Sequence, residues 1–392
     1  MDAGPTTPPA AKAPREHYWD ALRAFLMLLG IPYHTALSYR PVGREWIVNA
    51  GPGGSEAFTY LAEFLHLFRM PAFFIVAGYF SAMLLARRSP RVWLRGRWRR
   101  IGIPFAFSLV TFVPLMNMAC ELSNLPPAEA LASWLHNSLT SAGYWIRHLW
   151  FVIVLLYCST AAALAAWRFP ALRGAMLPPR ADRWIARRFA ACLLALSALL
   201  GLWQAVAVEA FYTAGLATNV PQELLRIDEL IVYAPYFLIG CAIARTPAVL
   251  RRLGTFSPVV TLVALVFTVV SVAGFDSLVP MTGRFVGTFA SLATTQVVIA
   301  GARRLSRGPS PLVGKLVSAS FVMYLVHMPI IVVLVALAAR MPGAVADKAL
   351  AVMLLTFALS YGAWLAVARS RLLSFAFNGE PLRWRERPRA AA

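Results

Sequence analysis

Four of the six histidines, His34, His66, His148 and His327, lie inside long apolar runs. Ionisable side chains are costly within a membrane span, so a set of them at one depth marks a buried functional site. In the first run Arg23 and His34 are eleven residues apart. On a helix that spacing puts them on one face, roughly 16 Å apart along the axis. The separation matches the scale of an extended pantetheine arm. A coenzyme A thioester anchored by its phosphates near Arg23 would therefore present its acyl carbon near His34. Pro32, two residues before His34, should kink the helix and free a backbone carbonyl. The plainer alternative is that Arg23 snorkels to the interface and His34 is a packed, hydrogen-bonded residue.

The second run carries Glu63, His66 and Arg69 at three-residue spacing, which makes a slanting polar strip on a helix. Glu63 and His66 fall near the depth of His34, and a carboxylate beside histidines orients a ring for general-base work. The same strip also suits a structural ion-pair cluster between helices. Arg147-His148-Leu149-Trp150-Phe151 opens the fourth run, and Tyr324-Leu325-Val326-His327 lies in the outer half of the ninth. Each alone fits an interfacial aromatic belt; their shared depth adds them to the histidine layer. Between the second and third runs, Arg91 to Arg100 interleaves guanidinium groups with the indoles of Trp93 and Trp98. Arginine forks match phosphate oxygens and an indole stacks on a purine, so this segment suits the nucleotide end of coenzyme A. It equally suits anionic lipid headgroups, or the positive-inside bias with nothing bound.

These residues need a bilayer scaffold. Of the 392 residues, 59% are hydrophobic and 14% charged, which predicts an all-α polytopic membrane protein and excludes a soluble domain. About ten apolar runs are long enough to cross, near residues 19–39, 58–86, 100–120, 144–167, 189–211, 230–244, 256–275, 285–302, 312–339 and 346–368. The net charge of +20 does not point to nucleic acid, because most arginines fall in short loops between these runs. After the second run come Arg87, Arg88, Arg91, Arg95, Arg97, Arg99 and Arg100; the loops after the fourth, sixth and eighth and the C-terminal segment are also basic. The alternate loops collect Glu45, Glu56, Glu121, Glu129, Glu209, Glu223, Asp228, Glu229, Asp276 and Asp347. The positive-inside rule then makes both termini cytoplasmic and puts the four histidines in the half of the bilayer away from the cytoplasm. Residues 1–17 read as a disordered cytoplasmic tail with no cleaved signal peptide, 18–369 as one membrane domain, and 370–392 as a basic cytoplasmic tail. Cys120, Cys158, Cys192 and Cys241 have neither paired nor metal-like spacing, so neither disulfides nor a metal are expected.

The chain resembles the membrane acyltransferase-three superfamily, and within it the branch that succinylates osmoregulated periplasmic glucans. The resemblance rests on residues 23–34, residues 68–81, Arg97 to Pro104, His148-Leu149-Trp150-Phe151, Tyr236 to Gly240, Ser320 to His327 and Phe377-Asn378-Gly379-Glu380-Pro381, in that order. It implies that His34 is the catalytic histidine and that Arg97 and Arg100 help hold the acyl-CoA; the spacing argument adds Glu63 and His66 as catalytic partners of His34, and Arg23 and Trp98 as further acyl-CoA contacts. Arg69, His148, Trp150, Tyr324 and His327 are the expected acyl or acceptor contacts. Where a close family member has a second histidine after the one matching His327, this chain has Met328. The implied activity is transfer of succinyl from cytosolic succinyl-CoA, a co-substrate and not a resident cofactor, to periplasmic glucan. The expected setting is the bacterial inner membrane, among lipid and other glucan-making proteins. An acetyltransferase acting on another exported polysaccharide and a multi-helix secondary transporter are the alternatives.

Overall fold

Serine and proline punctuate the apolar runs and decide where helices start. Ser89 and Ser310 accept hydrogen bonds from Val92 N and Val313 N at 3.4 and 3.5 Å, and Pro90 and Pro311 follow them in the first turn, where no N–H partner is needed. In the computed structural model, which describes residues 17–41, 48, 53–216, 220–274, 278–306, 308 and 310–382, regular structure is helical and no strand occurs among the described residues. The expectations for Glu45, Asp276 and the chain ends 1–16 and 383–392 fall outside the described residues.

In chain order the helices are α1 (His17–Leu28), α2 (Gly30–Tyr39), α3 (Glu56–Leu85), α4 (Pro90–Arg97), α5 (Ile103–Val110), α6 (Phe112–Asn124), α7 (Pro127–Thr140), α8 (Gly143–Ile146), α9 (Trp150–Arg168) and α10 (Pro179–Arg187). They continue as α11 (Phe189–Trp203), α12 (Glu209–Thr213), α13 (Val220–Leu225), α14 (Ile227–Ile243), α15 (Pro247–Leu253), α16 (Pro258–Ala273), α17 (Pro280–Leu305), α18 (Pro311–Ala339), α19 (Val345–Arg369) and α20 (Arg371–Asn378). Two π-helical turns, Trp98–Gly102 and Gln204–Val208, join α4 to α5 and α11 to α12.

Each of the ten apolar runs is helical over most of its described residues. Among the described residues seven continuous helices are long and apolar enough to cross a membrane, and an eighth forms if Pro221–Ile243 and Pro247–Leu253, bent by 114°, count as one broken span. The chain is therefore a polytopic membrane protein. The other two runs fall short for separate reasons. The first is divided at Leu29, because Pro32 has no N–H to offer the Leu28 carbonyl. The seventh, α16, has only 16 residues.

The centre of the bundle is α3, which touches α1, α2, α9, α14, α16 and α17. Of its most apolar stretch 72% is enclosed, against 22% for α19 at the periphery. Its closest partner is α14, and two glycines set the crossing. A Cβ at Gly78 would fall on the Phe237 carbonyl, and one at Gly240 on the Ile75 carbonyl. Without side chains at those positions the two backbones meet directly, as small residues permit in membrane bundles.

Charge separates the two ends. At one end, Arg173 donates to the carbonyls of Leu85 and Arg88, Arg245 to that of Leu172 and Arg303 to that of Arg251. At the other, Glu121, Glu209, Glu223 and Asp228 bond to Tyr144, Arg284, Gly143 N and Tyr212. Helix α7 lies at this acidic end, in a loop where the hydropathy pattern gave no helix, and packs on α6 and α8.

Gly240→Val should lose about 3 kcal/mol or more, because the added side chain cannot fit against backbone. A lowered thermal midpoint of the detergent-purified protein checks this.

Candidate active site

Three imidazoles from three parts of the chain meet inside the bundle. Ring centroids are 5.2 Å apart for His34 and His327, 5.5 Å for His148 and His327, and 6.3 Å for His34 and His148. His34 is on α2, His148 in the 3₁₀ turn before α9, and His327 on α18. All three are buried. His148 is thus interior, not part of an interfacial belt.

His66 joins through Tyr33, whose ring stacks on it at 5.6 Å and meets His34 edge-on at 4.7 Å. The Arg69 guanidinium lies 4.6 Å from the centroid of the same Tyr33 ring. Arg69 is 6% exposed, and no carboxylate among the described residues forms an ion pair with it. Buried charge normally finds a counter-ion, so this guanidinium is poised for one that arrives from outside the chain. The backbone of α2 makes room for the arrangement. A Cβ at Gly30 would lie 3.1 Å from Arg69 Nη1 and 3.3 Å from His327 Nε2.

Tautomers follow from hydrogen bonds. His327 Nδ1 is 2.5 Å from the Tyr324 carbonyl, which can only accept, so Nδ1 donates and Nε2 holds the lone pair. Tyr324 O–H donates to the His148 carbonyl at 2.6 Å and ties α18 to the turn before α9.

A cavity of about 800 Å³ runs from these rings to the acidic end. His34, His66, Arg69, His148, Trp150 and Tyr324 line its deep part, while Glu121, Asn137, Arg147, Tyr212, Asp228 and Arg284 line its outer part. His327 stands behind His34, outside the lining. Glu63 also lies outside it, 3.9 Å from Arg40 across an ion pair.

The remaining predicted residues gather at the basic end, away from this cavity. Arg97 is near enough to Arg23 and Arg100 for their charges to interact. Arg23 lies over Phe80 at 5.4 Å and pairs with Asp20 at 3.7 Å, and Arg97 lies over Trp93 at 5.7 Å. Trp98 Nε1 donates to Thr160 Oγ1 at 3.2 Å. The π turn that carries Arg99 and Arg100 is pressed from below by Gly379, at φ +59°, where a Cβ would strike the Arg99 carbonyl. Between the two ends, α1 carries Trp19, Leu22 and Leu26, each 1% exposed.

The sequence reading assigned no role to several lining residues. Tyr33 beside His34 and Arg147 beside His148 sit within the quoted motifs, so adjacency was their only signal. Glu121, Tyr144, Tyr233 and Asp228 come from other runs and loops, and nothing in their spacing links them.

A polytopic helical bundle with an imidazole and guanidinium chamber at one end and a cluster of arginines at the other defines a membrane protein with a buried polar reaction space. The acyltransferase-three family, described as an acyltransferase domain, matches residues 16–367, and the chain belongs to it. A protein of Salmonella gallinarum named Glucans biosynthesis protein C is 31% identical over 335 residues, covering 81% of this chain and 83% of its own. The protein of that name in Escherichia coli O1:K1 is 30% identical over 334 residues, with 81% and 82% covered. No solved structure matches the chain.

Tyr324→Phe leaves the His148 carbonyl without its donor in an enclosed site and should cost about 1–3 kcal/mol. The thermal midpoint of the purified variant measures it.

Proposed function

We propose that this protein is a transmembrane O-acyltransferase that moves succinyl from cytosolic succinyl-CoA onto hydroxyls of periplasmic glucan. In this reading it sits in the bacterial inner membrane with ten spans and both termini cytoplasmic. The shortened α16 and the divided first run both complete crossings. The observation that carries the reading is the pairing of a buried Arg69, which no described carboxylate meets, with the His34 cluster at the floor of a cavity that reaches the acidic end. The names of the relatives support the glucan as acceptor.

The donor enters at the basic end, where Arg23, Arg97 and Arg100 meet its phosphates and Trp98 offers a face to the adenine. Its pantetheine arm runs along α1 toward His34. Trp19, Leu22 and Leu26 pack that path, so donor binding and opening of the passage are one event. A glucan hydroxyl comes from the other side through the cavity. Neutral His34 takes the hydroxyl proton as the oxygen attacks the thioester carbonyl carbon. The C–O bond forms, the C–S bond breaks, and the coenzyme leaves as a thiol after receiving the proton back. His66 and His148 border the same space and supply hydrogen bonds to the developing oxyanion. Glu63, on α3 and paired with Arg40, helps to orient the ring of His34 on the neighbouring α2.

Succinyl differs from acetyl by a second carboxylate, which must be met by a cation in a low-dielectric site. Arg69 is that cation, cushioned on Tyr33.

Two measurements test this function. His34→Ala should lower glucan acylation by about 10²–10⁴-fold, the usual contribution of a positioned base. Mass spectrometry of periplasmic glucans from cells making the variant reads it, and normal acyl content with the variant correctly inserted would end the assignment. Arg69→Met should reduce turnover of succinyl-CoA relative to acetyl-CoA by about tenfold or more, the worth of a charge-assisted bond. Thiol release with each donor gives the ratio, and an unchanged ratio removes Arg69 from donor selection.

A further inference from the structure

Arg147 is the residue in the cavity whose backbone is least comfortable. Its φ of 47° and ψ of −129° lie where residues with a Cβ rarely go. The turn has a visible consequence, because it sends two neighbouring side chains to different parts of one cavity. His148 meets His34 and His327 at the floor, while Arg147 is held against the wall of the outer part.

That wall is a closed hydrogen-bond network. Asn117 donates to the Tyr144 carbonyl at 2.7 Å and accepts from Arg147 Nε at 2.8 Å. The Arg147 guanidinium lies 4.4 Å from the centroid of the Tyr144 ring. Tyr144 O–H donates to Glu121 at 2.9 Å, and the two Glu121 oxygens also accept from Ser133 at 2.9 Å and Asn137 at 3.0 Å. Glu121 is thereby occupied, and no ion pair joins it to Arg147 among the described residues. The guanidinium is anchored through Nε and its ring contact, which leaves its outer fork as the part that can bind something else.

Three residues on, Trp150 lines the same cavity at the end of a stack of rings. Trp150 lies on Tyr233 at 5.2 Å and 26°, and Tyr233 on Phe74 at 5.1 Å and 16°. A rigid indole face and an oriented fork line one cavity with Asp228 and Tyr212, which together offer an apolar plane, paired donors, a carboxylate acceptor and a hydroxyl. Arg147, Arg226 and Arg284 line this part of the cavity with Glu121, Asp228 and Glu229, so its charges offset and favour a neutral polar ligand over an ion. A neutral polyhydroxyl ring uses every part: its C–H face lies on the indole, adjacent hydroxyls accept from the fork, and a hydroxyl proton goes to the remaining lone pair of Asp228 Oδ2, which among the described residues accepts from Tyr212 alone.

From this geometry we infer that Arg147 and Trp150 form a sugar subsite that seats one glucose residue of the acceptor chain and aims its hydroxyl at the histidine cluster. The inference rests on the glucan reading above and adds the residues that recognise the sugar. The backbone conformation of Arg147 is what gives one short turn both tasks.

Arg147→Gly tests it, because glycine accepts the positive φ without strain while removing the fork. With purified protein, an acyl-CoA donor and neutral glucose oligosaccharides, this variant should keep its thermal midpoint near that of the wild type, because relief of the backbone strain offsets the lost bond from Nε to Asn117. Its KM for the oligosaccharide should rise by about ten- to a hundredfold, the worth of hydrogen bonds from a charged donor, while its KM for acyl-CoA does not move. Arg147→Lys should recover part of the loss, since an ammonium donates but lacks the fork. An oligosaccharide KM equal to the wild type, or a parallel rise in both KM values with a lowered midpoint, would overturn the subsite. If the wild-type protein itself neither binds nor acylates glucose oligosaccharides, the glucan reading falls first and the subsite with it.

Discussion

A guanidinium and three imidazoles cannot face hydrocarbon, and the bundle is organised around enclosing them. Arg69 projects from the most enclosed helix and rests on an aromatic ring where a carboxylate would be expected. Its location forces a polar chamber, since a buried charge with neither water nor counter-ion would be expelled or would unfold its surroundings. The chamber in turn depends on close helix approach elsewhere. The glycine crossing of α3 and α14 is backbone on backbone, and it carries Arg69 on one side and Tyr233 on the other into the same cavity.

The protein has two chemically distinct ends. Arginines at one end bond to loop carbonyls and to one another's neighbourhoods; at the other, carboxylates are bound by hydroxyls, amides and guanidinium groups. Each end has its own departure from regular helix. The π turn at Trp98–Gly102 presents Arg99 and Arg100 and is braced by Gly379, and the π turn at Gln204–Val208 brings Gln204 to the cavity. An added residue in a helical turn rotates the following side chains, and both insertions fall where polar groups must be aimed. The proposed reaction, which joins a charged cytosolic donor to an external hydroxyl, would use this polarity.

The histidine cluster is held by unlike means. His327 is fixed by a bond to the carbonyl one turn earlier, His148 by a turn whose carbonyl is bound by Tyr324, and His34 by ring contacts with Tyr33 and both other histidines. Three different elements thereby bring their imidazoles into one cluster.

Hydropathy alone determined the ten helical runs, the kink at Pro32 and the sorting of charge between ends, because lipid imposes length, backbone satisfaction and loop charge on any chain that crosses it. The shared depth of His34, His148 and His327 was legible for the same reason, since depth is simply position along a helix. Lateral position is not. That Glu63 turns to Arg40, that the arginines of the basic end lie outside the cavity, and that Arg147 meets Asn117 thirty positions away depend on which helices are neighbours. The tertiary structure alone decided these, because neighbours in a bundle are chosen by side-chain shape at crossings such as Gly78 and Gly240, and a one-dimensional pattern does not record which faces touch.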